Sequence, residues 1–254
     1  MVYKMAEREI GHFLLKRLGK TKLRPGGAKA TNWLIDKIDF TKSPVILEVA
    51  CNEAYNLMDF AEKYKNKNIG IDINKKAIES AKRNIAERNL QDYVKVRVGN
   101  ALSLPFDDNS FDVIINEAML TMFDNENKKK ALSEYYRVLK KGGILLTQDV
   151  MLINEDEKLI KEMQYVINNP VRPLTKENWL SLHKEIGFSK SSYFNDKMTL
   201  LSNSGLMHDE GLFGMLKILK NGIFDKNRKQ FFEMSNFFRK NRKKLNFIAI
   251  CSEK

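Results

Sequence analysis

The sequence predicts an α/β chain organised around a mostly parallel sheet, on three observations. From residue 45 onward, short β-branched apolar runs alternate with stretches of helical period, the pattern of repeated βαβ units. Four successive runs end in polar or irregular residues, at 48–54, Asp72, Asn100 and Asn116-Glu117, which is where open α/β sheets bind ligands. The 254 residues include only 5 prolines and no Gly/Ser/Pro-rich stretch, so one core is expected rather than two linked domains.

The elements follow in order. "REIGHFLLKRLGK" is an amphipathic helix, and "RPGGAKATNWLIDKI" is a turn feeding a second one. The helix start after Pro25-Gly26-Gly27 offers free N–H groups that could face an anion, or is an ordinary Pro-Gly turn. Strands are expected at 45–49, 68–73, 94–98, 113–116 and 144–149. Between them "KKAIESAKRNIAERN" places Ala77, Ile78, Ala81 and Ile85 on one stripe, and "ENKKKALSEYYRVLK" runs to the stop signal Gly142-Gly143. A helix at about 155–168 precedes one capped by Thr175 and closed by Gly187, with Trp179, Leu182 and Ile186 on its apolar face. A strand at 191–199, a helical stretch at 205–244 and a last strand at 246–251 complete the chain. The expected organisation is one domain over 1–254: a helical lid at 1–40, the core at 41–200, a helical insertion at 201–244 and the final strand at 245–254.

Composition excludes several classes. There is no run of about 18 apolar residues and no apolar block in "MVYKMAEREIGHF", so no membrane insertion and a cytoplasmic location are expected. Cys51 and Cys251 lie far apart with no CxxC or Cys/His cluster, so neither a metal site nor a disulfide framework is expected. The formal net charge of +12 admits nucleic acid as a partner, although lysines spread over a solvated surface explain it as well. The one concentrated basic run, 226–244, is interleaved with Phe231, Phe232, Phe237 and Phe238.

"VILEVACNEAYN" has the form of a glycine-rich nucleotide loop with its glycines replaced. Asp72, at the end of "NIGIDIN", stands where an acid accepts from ribose hydroxyls in nucleotide-binding βαβ units. Together with "VRVGNALSLPFDDNSFDVIINEAML" and "YYRVLKKGGILLTQDV", in this order, the chain resembles the class I S-adenosylmethionine-dependent methyltransferases of small single-domain type, directly over 45–150. The resemblance implies a Rossmann-like doubly wound sheet of seven strands, mostly parallel with the last antiparallel, and helices on both faces.

It also implies site residues. Glu48, Ala50, Cys51, Asn52 and Ala54 would wrap the methionine part of S-adenosylmethionine, and Asp72 with Ile73 would hold the ribose end. Asn100 would accept from the adenine amino group beside Ala101 and Leu102, and Asn116 and Glu117 would border the methyl donor. S-adenosylhomocysteine would be the product. The departure from the family is Ala50, Asn52 and Ala54 at its three glycine positions. An alanine methyl is the smallest intrusion there and Asn tolerates the left-handed region, so the loop is expected to keep its function. Glu53 suits either the helix dipole or a contact to the cofactor ammonium.

If the acceptor must lose a proton, Glu117 and Asp149 are the expected bases, with His208 and His12 behind them. A small-molecule acceptor is the leading expectation. An RNA or protein acceptor and a non-catalytic cofactor-binding or scaffold domain are the alternatives. "NEAM" (116–119) lacks the proline pair and aromatic with which exocyclic-amine nucleic-acid enzymes hold a flipped base.

Overall fold

The computed structural model describes residues 8–254. The first seven residues of the expected lid lie outside the described residues, as does the side chain of Asn203.

The described chain holds β1 (Ile46–Val49), β2 (Asn68–Asp72), β3 (Val94–Val98), β4 (Phe111–Glu117), β5 (Leu139–Leu152), β6 (Leu174–Thr175), β7 (Lys190–Lys197) and β8 (Leu245–Glu253). Its helices are α1 (Gly11–Leu18), α2 (Gly27–Ile35), α3 (Tyr55–Tyr64), α4 (Lys75–Glu87), α5 (Asn125–Val138), α6 (Glu157–Ile167), α7 (Lys176–Ile186), α8 (Asn203–Phe224) and α9 (Arg228–Lys240). The sheet order is β3-β2-β1-β4-β5-β8-β7, with the two-residue β6 paired to β5. Strands β1 to β5 pair in parallel, and β8 runs antiparallel to both β5 and β7. This is the expected doubly wound sheet, with β6 added beside it.

Side chains alternate across the sheet because successive residues of a strand point to opposite faces. Ile46, Val113, Ile115, Phe247 and Ala249 pack with α2, α3 and α4, while Leu47, Ile114, Ile248 and Ile250 pack with α5 and α7. A third cluster joins α1, α6, α8 and α9 through Leu14, Leu18, Met163, Ile218, Phe231 and Phe237. The strand order reverses between β1 and β4, so their carboxyl ends splay apart and leave a crevice, and it is there that α1 and residues 21–24 lie.

The caps of α7 form as expected: Thr175 Oγ1 accepts from Asn178 N, and Gly187 is left-handed. The end of α5 differs. The helix stops at Val138 and β5 begins at Leu139; the register then jumps from Leu139 opposite Phe111 to Ile144 opposite Val113. Residues 140–143 bulge out of the ladder, Gly142 at φ 76 makes the bend, and Gly142 N and Gly143 O bond Lys254 instead. The glycine pair therefore terminates a bulge and not the helix. The start of α2 also differs from a free anion site. Gly26 N donates to Gln148 Oε1 (2.7 Å) and Ala28 N to Asp209 Oδ1 (3.2 Å), so the chain's own side chains occupy it.

Candidate functional site

After β1 the backbone turns through Ala50 (φ 60), Asn52 (φ 50) and Ala54 (φ 62), all left-handed. These are the three positions at which the sequence lacks the expected glycine, and each costs on the order of 1–2 kcal/mol for a residue with a Cβ. Neighbouring bonds hold the conformation: Cys51 N donates to Ile71 O (2.9 Å), Ala54 N to Cys51 O (2.8 Å) and Asn52 N to Asp72 Oδ2 (2.9 Å). Gly70 on β2 makes room for the turn. A Cβ there would lie 2.7 Å from Cys51 Sγ and 2.9 Å from Leu57 Cδ1.

The turn forms one side of a cavity of about 480 Å³, within the range of small-ligand sites. Asp72 sits at its edge with each carboxylate oxygen taking one backbone donor, Asn52 N and Asn74 N (2.8 Å), which fixes the group while leaving lone pairs open. Deeper in, Asn56 Nδ2 bridges two carboxyls, donating to Glu48 Oε1 (2.8 Å) and Glu117 Oε2 (3.1 Å). Glu117 Oε1 also accepts from Thr31 Oγ1 (2.5 Å) and Gln148 Nε2 (2.6 Å), so its donors come from α2, α3 and β5 together. Glu48 is buried with Oε2 unpartnered, and burial pushes its carboxyl up to about 8, which keeps it protonated at neutral pH.

The opposite wall comes from α1 and the segment that follows it. Lys16 Nζ reaches Asn52 Oδ1 (2.8 Å) and Glu53 Oε1 (2.9 Å), tying the helix to the loop. Arg24 is buried, donates to Thr31 Oγ1 (2.6 Å) and lies 4.0 Å from Glu117 Oε2 and 3.9 Å from Asp209 Oδ1. His12 also lines the cavity; its Nδ1 is buried without a partner, and burial holds the ring below its ordinary pKa, hence neutral. Phe13, Leu23, Met119, Met122 and Phe123 supply an apolar end.

Residues 46–143 match the family model described as a methyltransferase domain. The chain is 48% identical over 251 residues to an uncharacterized protein of Haemophilus influenzae, covering 98% of this chain and 100% of that one. It is 40% identical over 101 residues to a demethylmenaquinone methyltransferase of Symbiobacterium thermophilum, 39% of each chain. A phosphoethanolamine N-methyltransferase 2 of Haemonchus contortus, solved with phosphomonomethylethanolamine and S-adenosylhomocysteine, superposes with a TM-score of 0.75 at 16% identity, covering 96% of this chain and 57% of that one. The chain belongs to the class I S-adenosylmethionine-dependent methyltransferases.

The residues present suit the methyltransferase cofactor. Ile73 is 72% exposed at the cavity rim, an apolar side chain that a purine would cover. Glu48 Oε2, His12 Nδ1 and Arg24 Nε are buried polar atoms that lack protein partners, and Glu48, His12 and Arg24 all line the cavity.

Of the residues expected from sequence, Glu48, Ala50, Cys51, Asn52, Asp72, Ile73, Asn100, Ala101, Leu102 and Glu117 line the cavity together. Ala54 lies behind it as the buried start of α3. Asn116 does not face it: the side chain is fully buried and donates from Nδ2 to Val49 O (2.9 Å), tying β4 to β1. Asn100 Oδ1 already accepts from Leu102 N (2.9 Å), so one lone pair remains for a ligand.

Asp149 is the clearest correction. It is buried outside the cavity lining, and Oδ1 accepts from both Thr121 N and Thr121 Oγ1 (2.8 Å each), so it braces the loop after β4 and does not face the cavity. His208 is exposed on α8 and lies outside the lining as well, whereas His12 lies within it. In the basic segment, Phe231, Phe237 and Phe238 are buried in the third cluster, leaving Phe232 as its one exposed phenylalanine, so the aromatic interleaving is core. Sequence reasoning missed Asn56, Arg24, Thr31 and Gln148. It also missed Ala118, a third left-handed residue (φ 60) in the cavity lining beside Ala50 and Asn52.

Proposed function

We propose that this methyltransferase acts on a small molecule with an apolar body, and that the cavity just described holds both cofactor and acceptor. The observation that carries the reading is the size and cover of the site: α1 and residues 21–24 lie across the strand ends and leave a partly covered pocket of about 480 Å³, the size of a small-ligand site. The local likeness to a demethylmenaquinone methyltransferase supports an apolar acceptor.

S-adenosylmethionine supplies a methyl group on a positively charged sulfur, which an acceptor held in line displaces. The chain's own residues position and shield the reactants. Asp72, fixed by two backbone donors, accepts from the ribose hydroxyls; Ile73, Ala101 and Leu102 flank the adenine, and Asn100 meets its edge. The backbone of 50–52 cradles the methionine part, with Arg24 and Lys16 as cations for its carboxylate. Phe13, Leu23, Met119, Met122 and Phe123 exclude water at the acceptor end. Where the acceptor must lose a proton, His12 and Glu117 are the groups in the cavity able to take it.

Calorimetric titration with S-adenosylmethionine and S-adenosylhomocysteine tests the cofactor assignment. Asp72→Ala is expected to lower affinity by roughly 100-fold, two charge-assisted bonds of about 1.5 kcal/mol each. Wild-type affinity in that variant would remove the ribose assignment. S-adenosylhomocysteine release should be supported by small apolar-bodied acceptors and not by bulk RNA or protein; the reverse would overturn the acceptor class.

A further inference from the structure

Helix α8 carries a feature that the methyl-transfer site does not use. It is broken at Gly211 (φ 71, ψ 176), and the residues beyond the break expose large apolar side chains: Leu212, Phe213, Leu216, Ile223 and Phe224. Phe213 is 86% and Phe224 79% exposed. At about 100° per residue these five fall within an arc of roughly 120°. Ile218 and Gly222, on the opposite side, are buried against the third core cluster and Phe231. The outer arc is thus not a misplaced inner face. It is a second apolar face on a helix whose first is already packed.

The charge around the arc is of one sign. Lys220 lies within it and Lys217 at its edge, while Lys226, Arg228 and Lys229 are exposed immediately beyond the helix end. None of the five makes an ion pair among the described residues. No acid occurs from Gly211 to Phe224, and Asp225, the first to follow, is held by Arg17.

We infer that this face of α8 docks the protein on an anionic lipid surface, the apolar arc entering the headgroup boundary and the lysines meeting the lipid phosphates. An apolar arc with flanking cations and no acids is the pattern that lies in a bilayer interface, and no helix of the described chain is long and apolar enough to cross one. A second copy of this chain fits less well, because it would bring the same lysines, on a protein of net charge +12, against each other. A nucleic acid would satisfy the lysines and leave the phenylalanines in water. The face is continuous with the lid: Glu210, just before the break, accepts from Thr21 N (3.0 Å), Thr21 Oγ1 (2.8 Å) and Lys22 N (3.1 Å), and those two residues line the cavity. A docked α8 therefore sets the cavity-lining segment at the membrane surface.

Co-sedimentation of the full chain with vesicles at about 0.1 M salt tests this, comparing phosphatidylglycerol/phosphatidylcholine mixtures with phosphatidylcholine alone. Partition should be at least tenfold stronger on the anionic vesicles. It should fall at least tenfold in Phe213→Ser/Phe224→Ser and, separately, in Lys217→Glu/Lys220→Glu, with circular dichroism and cofactor affinity unchanged because these four side chains are exposed and lie outside the cavity lining. No partition onto anionic vesicles would overturn the proposal, as would partition that both variants retain. A dimer seen by sedimentation equilibrium without lipid, and lost in the phenylalanine variant, would assign the face to a second copy instead.

Discussion

Along the sheet wall of the cavity, the ligand-facing groups are backbone and short side chains, fixed by bonds such as Asn52 N to Asp72 and Cys51 N to Ile71. Along the helical wall they are the long charged side chains of Lys16 and Arg24, fixed by the distant Glu53 and Glu117, with the buried pair of Lys20 and Asp209 anchoring the wall behind them. The first wall owes its shape to conformations that few residues tolerate. The second owes it to buried charges that must find each other. A wall of the first kind can bind one cofactor throughout a family. A wall of the second kind can be rebuilt by exchanging a few side chains, which is what a changing acceptor requires.

The comparison breaks most sharply at Asp209. Its carboxylate is 1% exposed, lies 3.2 Å from the fully buried Lys20 Nζ and accepts from Ala28 N at the start of α2. Asp209→Ala leaves a buried cation with only Glu210 at 3.5 Å, and should cost about 3–5 kcal/mol in denaturant unfolding. A loss below about 1 kcal/mol would mean the helical wall is held by its apolar contacts alone.

Next in size is a pH effect on the sheet wall. Burial raises Glu48 from 4.5 to about 8, so its neutral form stabilises the fold fully below pH 4.5 and that contribution is lost as pH rises through about 8. Asp149, raised from 3.8 to about 7 by burial, acts in the same direction. Stability should fall by roughly 6 kcal/mol between pH 5 and pH 8, and Glu48→Gln should remove the larger share of that slope while leaving the Asp149 part. An unchanged slope in thermal melts of the variant would mean that Glu48 is ionised in the folded protein.

The smallest expected effect sharpens the contrast. Ala50→Gly relieves left-handed strain of about 1–2 kcal/mol and adds about 0.4–1 kcal/mol of unfolded-chain freedom. The net gain should be about 0.5 kcal/mol, with cofactor affinity within about twofold of wild type. A tenfold change in affinity by calorimetry would show that the alanine methyl shapes the site.

These two walls were not equally legible in the sequence. Positive φ at 50, 52 and 54 could be anticipated because local backbone need is written at the position itself, and Asp72 because it ends a strand of recognisable pattern. Asn116 and Asp149 also end strands, yet whether such a side chain faces the crevice depends on pleat and on what the next loop offers; here Val49 O and Thr121 claim them. The helical wall left no local trace, since Lys20 and Asp209 are 189 positions apart and only the folded lid joins them. The phenylalanines of α9 were ambiguous for a related reason: a basic amphipathic stretch reads the same whether its aromatic side meets a ligand or a core.

The position of β8 in the sheet has a consequence for synthesis. Leu245–Glu253 is the last described strand to be made, yet it lies between β5 and β7 and pairs with both. At about 5–20 residues per second, the stretch from Leu152 to Leu245 takes roughly 5–20 s to emerge. Through that interval β5 waits as an open apolar edge on the ribosome, the kind of edge at which nascent chains aggregate. Its exposure ends only when the final strand arrives.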